Sequence, residues 1–217
     1  MSAKATVLLA LHSSSDTLAV GLQELAPTSP AGSSLRVLEF PLGRALSTEL
    51  FSCVEQVLPA ARWREISRLA VATGPGGFTG TRLTVVMART LAQQLAIPLH
   101  GVGSFLLIAR RLRAQGVSEA AAERFAVVQT LPRHGLVAGL YGADPTSPGG
   151  VREHLAPRFF DSEQGLGRGP RLEAQVAAAA DAAQLLAIAA EAAQAQRPAP
   201  WQVVLPLYPT SPVEPRG

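Results

Sequence analysis

Two adjoining stretches decide the fold of this chain: Arg68-Leu69-Ala70-Val71-Ala72-Thr73 and, directly after it, Gly74-Pro75-Gly76-Gly77-Phe78-Thr79-Gly80. The first is largely apolar and predicts a buried strand, which the second, here called the glycine turn, brings to an end. Apolar residues then recur at helical spacing from Leu83 to Leu95. A glycine-rich turn from strand to helix directs backbone N–H groups and the positive end of the helix dipole toward one point. Such a point suits an anion or a close-packed partner. We therefore predict a site formed by the glycine turn together with Arg82.

The residues around the glycine turn predict a mixed α/β domain. Short apolar runs broken by polar turns indicate strands at 5–11, 17–25 and 35–41, followed by a helix from Leu46 to Leu58. A strand at 97–102 returns after the second helix, which gives the order βββαβαβ. We place the domain boundary there, with an N-terminal lobe at 1–103 and a smaller, degenerate C-terminal lobe at 104–217.

The C-terminal lobe repeats this theme less clearly. The pattern predicts a helix at 104–115 and strands at 125–129, 135–141 and 151–155. An alanine-rich stretch from Leu172 to Gln196 predicts a long helix, because alanine has the highest helix propensity. A last strand is predicted from Trp201, ahead of a proline-rich tail.

Composition limits the class of protein. The chain has 217 residues, of which 47% are apolar, so that it is long enough and apolar enough to fold around a core. No apolar run has the roughly 18 residues of a membrane span, and the apolar run at 6–11 is too short for a secretory signal. We expect a cytoplasmic protein without membrane contact. The single cysteine, Cys53, is expected to be a buried apolar residue.

Positive charge is concentrated in the middle of the chain. Between Glu65 and Glu119 there are six arginines and no carboxylate. Such a segment could face RNA, and Arg110, Arg111 and Arg113 are the residues to test. A general preference for arginine over lysine across the whole chain would explain this positive charge equally well, because Lys4 is the only lysine.

Known catalytic motifs are not found. A P-loop requires a lysine after its last glycine, and a dinucleotide site requires an acid about 20 residues after its glycines; the glycine turn has neither. The four histidines are isolated from one another and from cysteine. We therefore expect no catalytic residue, no metal and no cofactor.

The residues G-P-G-G-F-T-G-T-R, which begin at Gly74, resemble the G-x-G-S-F-T-G-L-R segment of the TsaB (YeaZ) family. The resemblance covers roughly residues 6–108, where VLLALHSSSDTLAVGL (7–22) is similar to that family's opening strand, turn and strand. Residues 204–214 loosely resemble its C-terminal segment. Two departures are His12, where the family usually has Asp, and Gly77, where it has Ser. The resemblance implies an actin-like, sugar-kinase-like (ASKHA) fold of two ribonuclease-H-like lobes.

The resemblance also implies a function. The chain would be a non-catalytic scaffold and activating subunit for TsaD, which attaches threonylcarbamoyl to the adenosine next to the anticodon of tRNAs that read codons beginning with A. A TsaE-type ATPase would be a further partner, and tRNA would be bound only through the complex. The chain alone would be a candidate homodimer.

In that family the first two helices contact TsaD. The candidate interface residues here are Leu50, Phe51, Val54, Val85, Met87 and Arg89. Of these, Phe51, Val54 and Val85 are candidates to point outward into a helix–helix interface, and the core is the alternative for each. The alternative is a nucleotide-dependent kinase or hydrolase of the actin-like superfamily, in which Gly76 and Gly77 would approach phosphate. A glycoprotease is a third reading.

Overall fold

The computed structural model describes residues 6–25, 34–132 and 134–209. These fall into two units, one formed by the described residues within 1–104 and 176–206 and the other by those within 105–175 and 207–217. Arg133 and the tail at 210–217, part of the predicted C-terminal resemblance, lie outside the described residues, as do 1–5 and 26–33. The strands and helices are β1 (Thr6–His12), β2 (Thr17–Leu25), β3 (Ser34–Pro41), α1 (Leu46–Val57), β4 (Ile66–Ala72), α2 (Phe78–Leu95), β5 (Leu99–Val102), α3 (Ser104–Ala114), β6 (Phe125–Leu131), β7 (Gly135–Ala143), β8 (Val151–Phe160), β9 (Arg171–Glu173) and α4 (Ala178–Gln194).

The predicted order βββαβαβ is found in the first unit, in a five-stranded sheet of order β3-β2-β1-β4-β5. Strand β1 pairs antiparallel with β2 and parallel with β4. Each residue from Leu8 to Leu11 is fully buried. A strand that is apolar at every position is buried on both faces, and helices must therefore cover both sides of this sheet.

Helices α1 and α2 cover one face of the sheet. Leu9 and Leu11 of β1 belong to the same apolar cluster as Val54 of α1 and Val85 of α2. Lone Cys53 is buried in this cluster, as expected. The face is therefore closed by the inward residues of two neighbouring helices.

Helix α4 covers the opposite face. Its Leu186 leaves so little room over β2 that a Cβ atom added to Gly21 would lie 2.8 Å from Cδ1. Glu39 Oε1 of β3 accepts a 2.7 Å hydrogen bond from the backbone N–H of Ala179 at the start of the helix. A carboxylate at the start of a helix also interacts favourably with the positive end of the helix dipole.

The sequence predicted α4 as part of the C-terminal lobe and starting at Leu172. It belongs instead to the first unit and starts at Ala178, because 171–173 form β9. Helical propensity identified the helix but carries no information about which sheet it covers. The strand predicted from Trp201 is also wrong, since Trp201–Val203 form a single 3-10 turn.

The chain after α4 lies along the edge strand β5. The backbone N–H of Leu99 donates to the carbonyl of Ala199 over 2.9 Å. Arg68 Nη1 lies 3.0 Å from Nε2 of His100 and donates 3.0 Å to the carbonyl of Arg197. Because arginine can only donate, His100 accepts this bond as a neutral ring with its proton on Nδ1.

The second unit holds a four-stranded sheet of order β8-β7-β6-β9. Its small core joins Val128 of β6, Leu136 of β7 and Leu166, which follows β8. Strand β8 runs to Phe160, five residues beyond the predicted end. Among the described helices, none has the length and apolar content to cross a membrane.

We expect Leu186→Ala to lower the free energy of unfolding by about 2 to 5 kcal/mol, because it opens a cavity between α4 and the sheet. Leu205→Ala, at an exposed position, is the matched control and should change stability by less than about 0.5 kcal/mol. Urea unfolding measures both. Equal, small effects would contradict the packing of α4 on this sheet.

Burial, with the charges of Arg68 and Arg197, lowers the pKa of His100 from 6.5 to about 4. Between these two values the unfolded chain binds a proton that the folded chain does not, so this site destabilises the fold as the pH falls from 6.5 toward 4. We expect His100→Gln to lose less stability between pH 7 and pH 4.5 than the wild type. Urea midpoints measure this, with His154→Gln as control; parallel losses in all three proteins would refute it.

Candidate functional site

The glycine turn packs against the turn between β1 and β2. A Cβ atom added to Gly76 would lie 2.5 Å from the Cα of Ser14, a distance that Cβ contacts essentially never show. The N–H of Gly77 donates 3.1 Å to the carbonyl of Ser14. At Gly80 an added Cβ would lie 3.0 Å from the carbonyl oxygen of Ser13. The glycines thus let two backbones touch.

Buried hydroxyl groups join the turn after β1 to α2 and to the start of α3. Ser13 Oγ lies 2.7 Å from Thr84 Oγ1 on α2, and Ser14 Oγ lies 2.5 Å from Ser104 Oγ. The N–H of Ser104 donates 2.7 Å to the carbonyl of Gly74. Because buried polar groups need partners, these contacts hold α2 and the start of α3 against the turn after β1.

The positions of these groups argue against the predicted kinase or hydrolase alternative. The Gly77 N–H that would face a phosphate already donates to the carbonyl of Ser14, and the Cα of Gly76 lies against the Ser14 backbone, although Gly76 itself is exposed. The start of α2 instead opens into a cavity of about 510 Å³, shared with Asp16 and Arg44. His12, where the resembled family has Asp, is fully buried at the end of β1.

Four of the predicted interface residues do not point outward. Val54 and Val85 are 0% exposed, and Leu50 and Met87 are also buried. All four belong to the core between the helices and the sheet. The expectation that Val54 and Val85 face a partner is wrong, since the apolar periodicity of α1 and α2 is accounted for by one core face.

Phe51 does point outward, with 59% of its surface exposed, and its ring lies 6.5 Å from that of Trp63. On α2 the exposed apolar residues include Val86, at 55%, which the sequence prediction missed. Phe78 and Arg82, which lie two turns and one turn before Val86, are also exposed, and the Arg82 guanidinium lies 4.5 Å from the centre of the Phe78 ring. We call Phe51, Phe78, Arg82 and Val86 the α1–α2 face.

Arg89, also predicted for the interface, holds the C-terminal segment. Its Nη1 donates 3.1 Å to the carbonyl of Val204, and its guanidinium lies 5.6 Å from the ring centre of Trp201. The side chain is half-buried. Its position is explained by this packing.

Two of the arginines proposed to contact tRNA are buried. Arg110 and Arg111 are 3% and 8% exposed. Arg111 Nη2 donates to the carbonyl of Gln175 over 2.5 Å, and the guanidinium of Arg110 lies against Gly149. Arg113 is half-buried and donates to the carbonyl of Ala120. Their helical spacing therefore reflects packing within the second unit, and the buried pair cannot reach RNA.

No group of three or more His, Cys, Asp or Glu side chains is placed to hold a metal ion in the described part of the chain. The site consists of a close contact between turns and, beyond it, a partly apolar helical surface. An arrangement of this kind can bind a protein.

Comparison with known proteins gives one family match and one similar sequence. The family described as TsaD, tRNA N6-adenosine threonylcarbamoyltransferase, matches residues 42–125, which include α1 and α2. A 46-residue segment, 21% of the chain, is 44% identical to the tRNA threonylcarbamoyladenosine biosynthesis protein TsaB of Bacillus subtilis (strain 168). This segment spans 20% of the length of that curated relative.

Solved structures match over nearly the whole chain. YeaZ from Pseudomonas aeruginosa has a TM-score of 0.66 and 22% identity, over 94% of this chain and 99% of that one. A protein described as uncharacterized, with similarity to peptidase YeaZ from Pseudomonas aeruginosa, has a TM-score of 0.67 and 22% identity, over 94% and 100%. These neighbours have the actin-like fold, and the predicted fold class is confirmed.

We expect Gly76→Ala to lower the free energy of unfolding by about 1 to 3 kcal/mol, because the new methyl group overlaps the Ser14 backbone. Gly77→Ala is the matched control: nothing lies within 4 Å of an added Cβ, and the backbone φ is −54°. Its effect should stay below about 0.5 kcal/mol. Urea unfolding distinguishes the two, and similar effects would show that close packing does not explain the turn.

Proposed function

We propose that this chain, a member of the TsaB (YeaZ) family, acts in threonylcarbamoyladenosine biosynthesis as a non-catalytic accessory subunit of a TsaD-type enzyme. The segment shared with Bacillus subtilis TsaB, the TsaD-family match over α1 and α2, and the actin-like fold support this role. In this role the chain binds and activates the enzyme that transfers threonylcarbamoyl to the adenosine next to the anticodon.

The α1–α2 face carries the proposal. Phe51 and Val86 are more than half exposed on neighbouring helices of one sheet. Aromatic side chains such as Phe51 are enriched in the cores of protein interfaces, and Arg82 is of the charged type most often found there. A helix pair of the partner would exclude water from these apolar groups and hydrogen-bond Arg82 at the rim.

The remaining roles follow from this one. The catalytic groups belong to the TsaD-type partner, tRNA is bound only through the complex, and a TsaE-type ATPase is a further member. A homodimer through the α1–α2 face is expected when the enzyme is absent, because an exposed apolar patch favours self-association. A tRNA-modifying complex places the chain in the cytoplasm.

We expect Phe51→Asp with Val86→Asp to abolish co-purification of this chain with the TsaD-type protein of the same organism. Two carboxylates buried against apolar surface without partners would weaken binding by several kcal/mol. Pull-down with a tagged chain, followed by analytical ultracentrifugation, measures the loss. Both positions are exposed in the free chain, so its urea midpoint should be unchanged.

The matched control replaces two exposed apolar residues elsewhere, Leu35→Asp with Phe159→Asp. This double variant should bind the enzyme as the wild type does. Retention of the complex by the Phe51 and Val86 variant would place the interface elsewhere. A wild-type chain that binds no TsaD-type protein, but binds ATP alone, would overturn the proposed function.

A further inference from the structure

The second unit contains a cavity of about 200 Å³ with arginines on its lining. Arg124 lies just before β6, Arg168 lies in the loop before β9, and Arg171 opens β9. The loop Leu166-Gly167-Arg168-Gly169-Pro170 forms one wall. A volume several times that of a water molecule, about 30 Å³, accommodates a small anionic group with some hydration.

The positive charge of this cavity is only partly neutralised. Arg171 pairs with Glu163 over 2.7 Å. Neither Arg124 nor Arg168 has an ion pair or side-chain hydrogen bond with another described residue, and no carboxylate lines the cavity. Guanidinium groups are the side chains best suited to bind phosphate, because their planar donors match two of its oxygens.

The wall of the cavity is held in place by the surrounding structure. Leu166 is buried in the core of the unit, and the carbonyl of Pro170 accepts a 2.9 Å hydrogen bond from the N–H of Ala126. Between these anchors Gly167 and Gly169 have φ angles of +72° and +148°, which glycine adopts most readily. The N–H groups of Arg168 and Gly169 donate to no described residue. These two backbone donors are therefore not used within the described part of the chain.

We propose that this cavity, lined by Arg124, Arg168 and the Gly167–Gly169 loop, binds a phosphate group. The group comes from either of two sources, a small phosphorylated molecule or the backbone of an RNA. The site lies within the second unit and includes no residue of the α1–α2 face. Loss of phosphate binding therefore leaves binding of the TsaD-type enzyme unchanged, and the failure of either proposal does not affect the other.

The test is titration of the purified chain with pyrophosphate and, separately, with a single-stranded RNA 12-mer at low salt, by NMR chemical shifts and fluorescence anisotropy. Arg124→Gln with Arg168→Gln should weaken binding of the occupying ligand by at least about 10-fold, since each lost charged hydrogen bond alone approaches this factor. If RNA is the source, the plot of the logarithm of the association constant against the logarithm of the salt concentration should also become less steep for this variant, by about 1 to 2.

The matched control is Arg64→Gln with Arg152→Gln, which removes the same charge at exposed positions outside the cavity. Selective loss of pyrophosphate binding in the cavity variant supports a small phosphorylated ligand, and selective loss of RNA binding supports a nucleic acid. Equal weakening in both variants means that net charge alone attracts the ligand, and it overturns the site. Absence of binding by the wild type to either probe overturns it as well.

Discussion

Contact between Gly76 and the backbone of Ser14 is the constraint on which the first unit depends. The carbonyl of Ser14 also accepts a hydrogen bond from the N–H of Gly77. The glycine turn before α2 and the turn after β1 therefore lie so close together that no side chain fits at position 76. Buried hydroxyl pairs from Ser13 and Ser14 strengthen the same junction. A sequence pattern associated with phosphate binding here serves to pack two turns together.

This junction determines which helix surfaces remain for function. With α2 fixed against β1, the inward residues of α1 and α2 close one face of the sheet and α4 closes the other. The strands are then covered, and the outer faces of the helices are left for binding. Phe51 and Val86 are exposed there without a packing role in the core, and that is what makes these helices suited to a protein partner.

The sequence was sufficient for the order of strands and helices along the first unit and, through the resemblance that the glycine turn carries, for the fold class. It was not sufficient for the direction of individual side chains. Val54 and Val85 belong to apolar stripes, and spacing alone does not tell which side of each helix faces the sheet. Val86 is exposed because it lies one residue, or about 100° around the helix, from the buried Val85. Helix α4 was recognised from its alanines, but its position on the first sheet depends on tertiary contacts. The sequence prediction treated Arg110 and Arg111 as possible contacts to RNA. Composition does not distinguish an arginine buried beside backbone carbonyls from one on the surface.

In the proposed role, the first unit supplies a helical surface for binding, and the TsaD-type enzyme carries out catalysis. Hydrogen–deuterium exchange of the chain with and without the TsaD-type protein tests this claim most directly. Binding should slow exchange in peptides covering 47–56 and 78–90, and exchange in peptides from β8 and α4 should be unchanged. Protection confined to other segments, or no protection in a demonstrated complex, would contradict it.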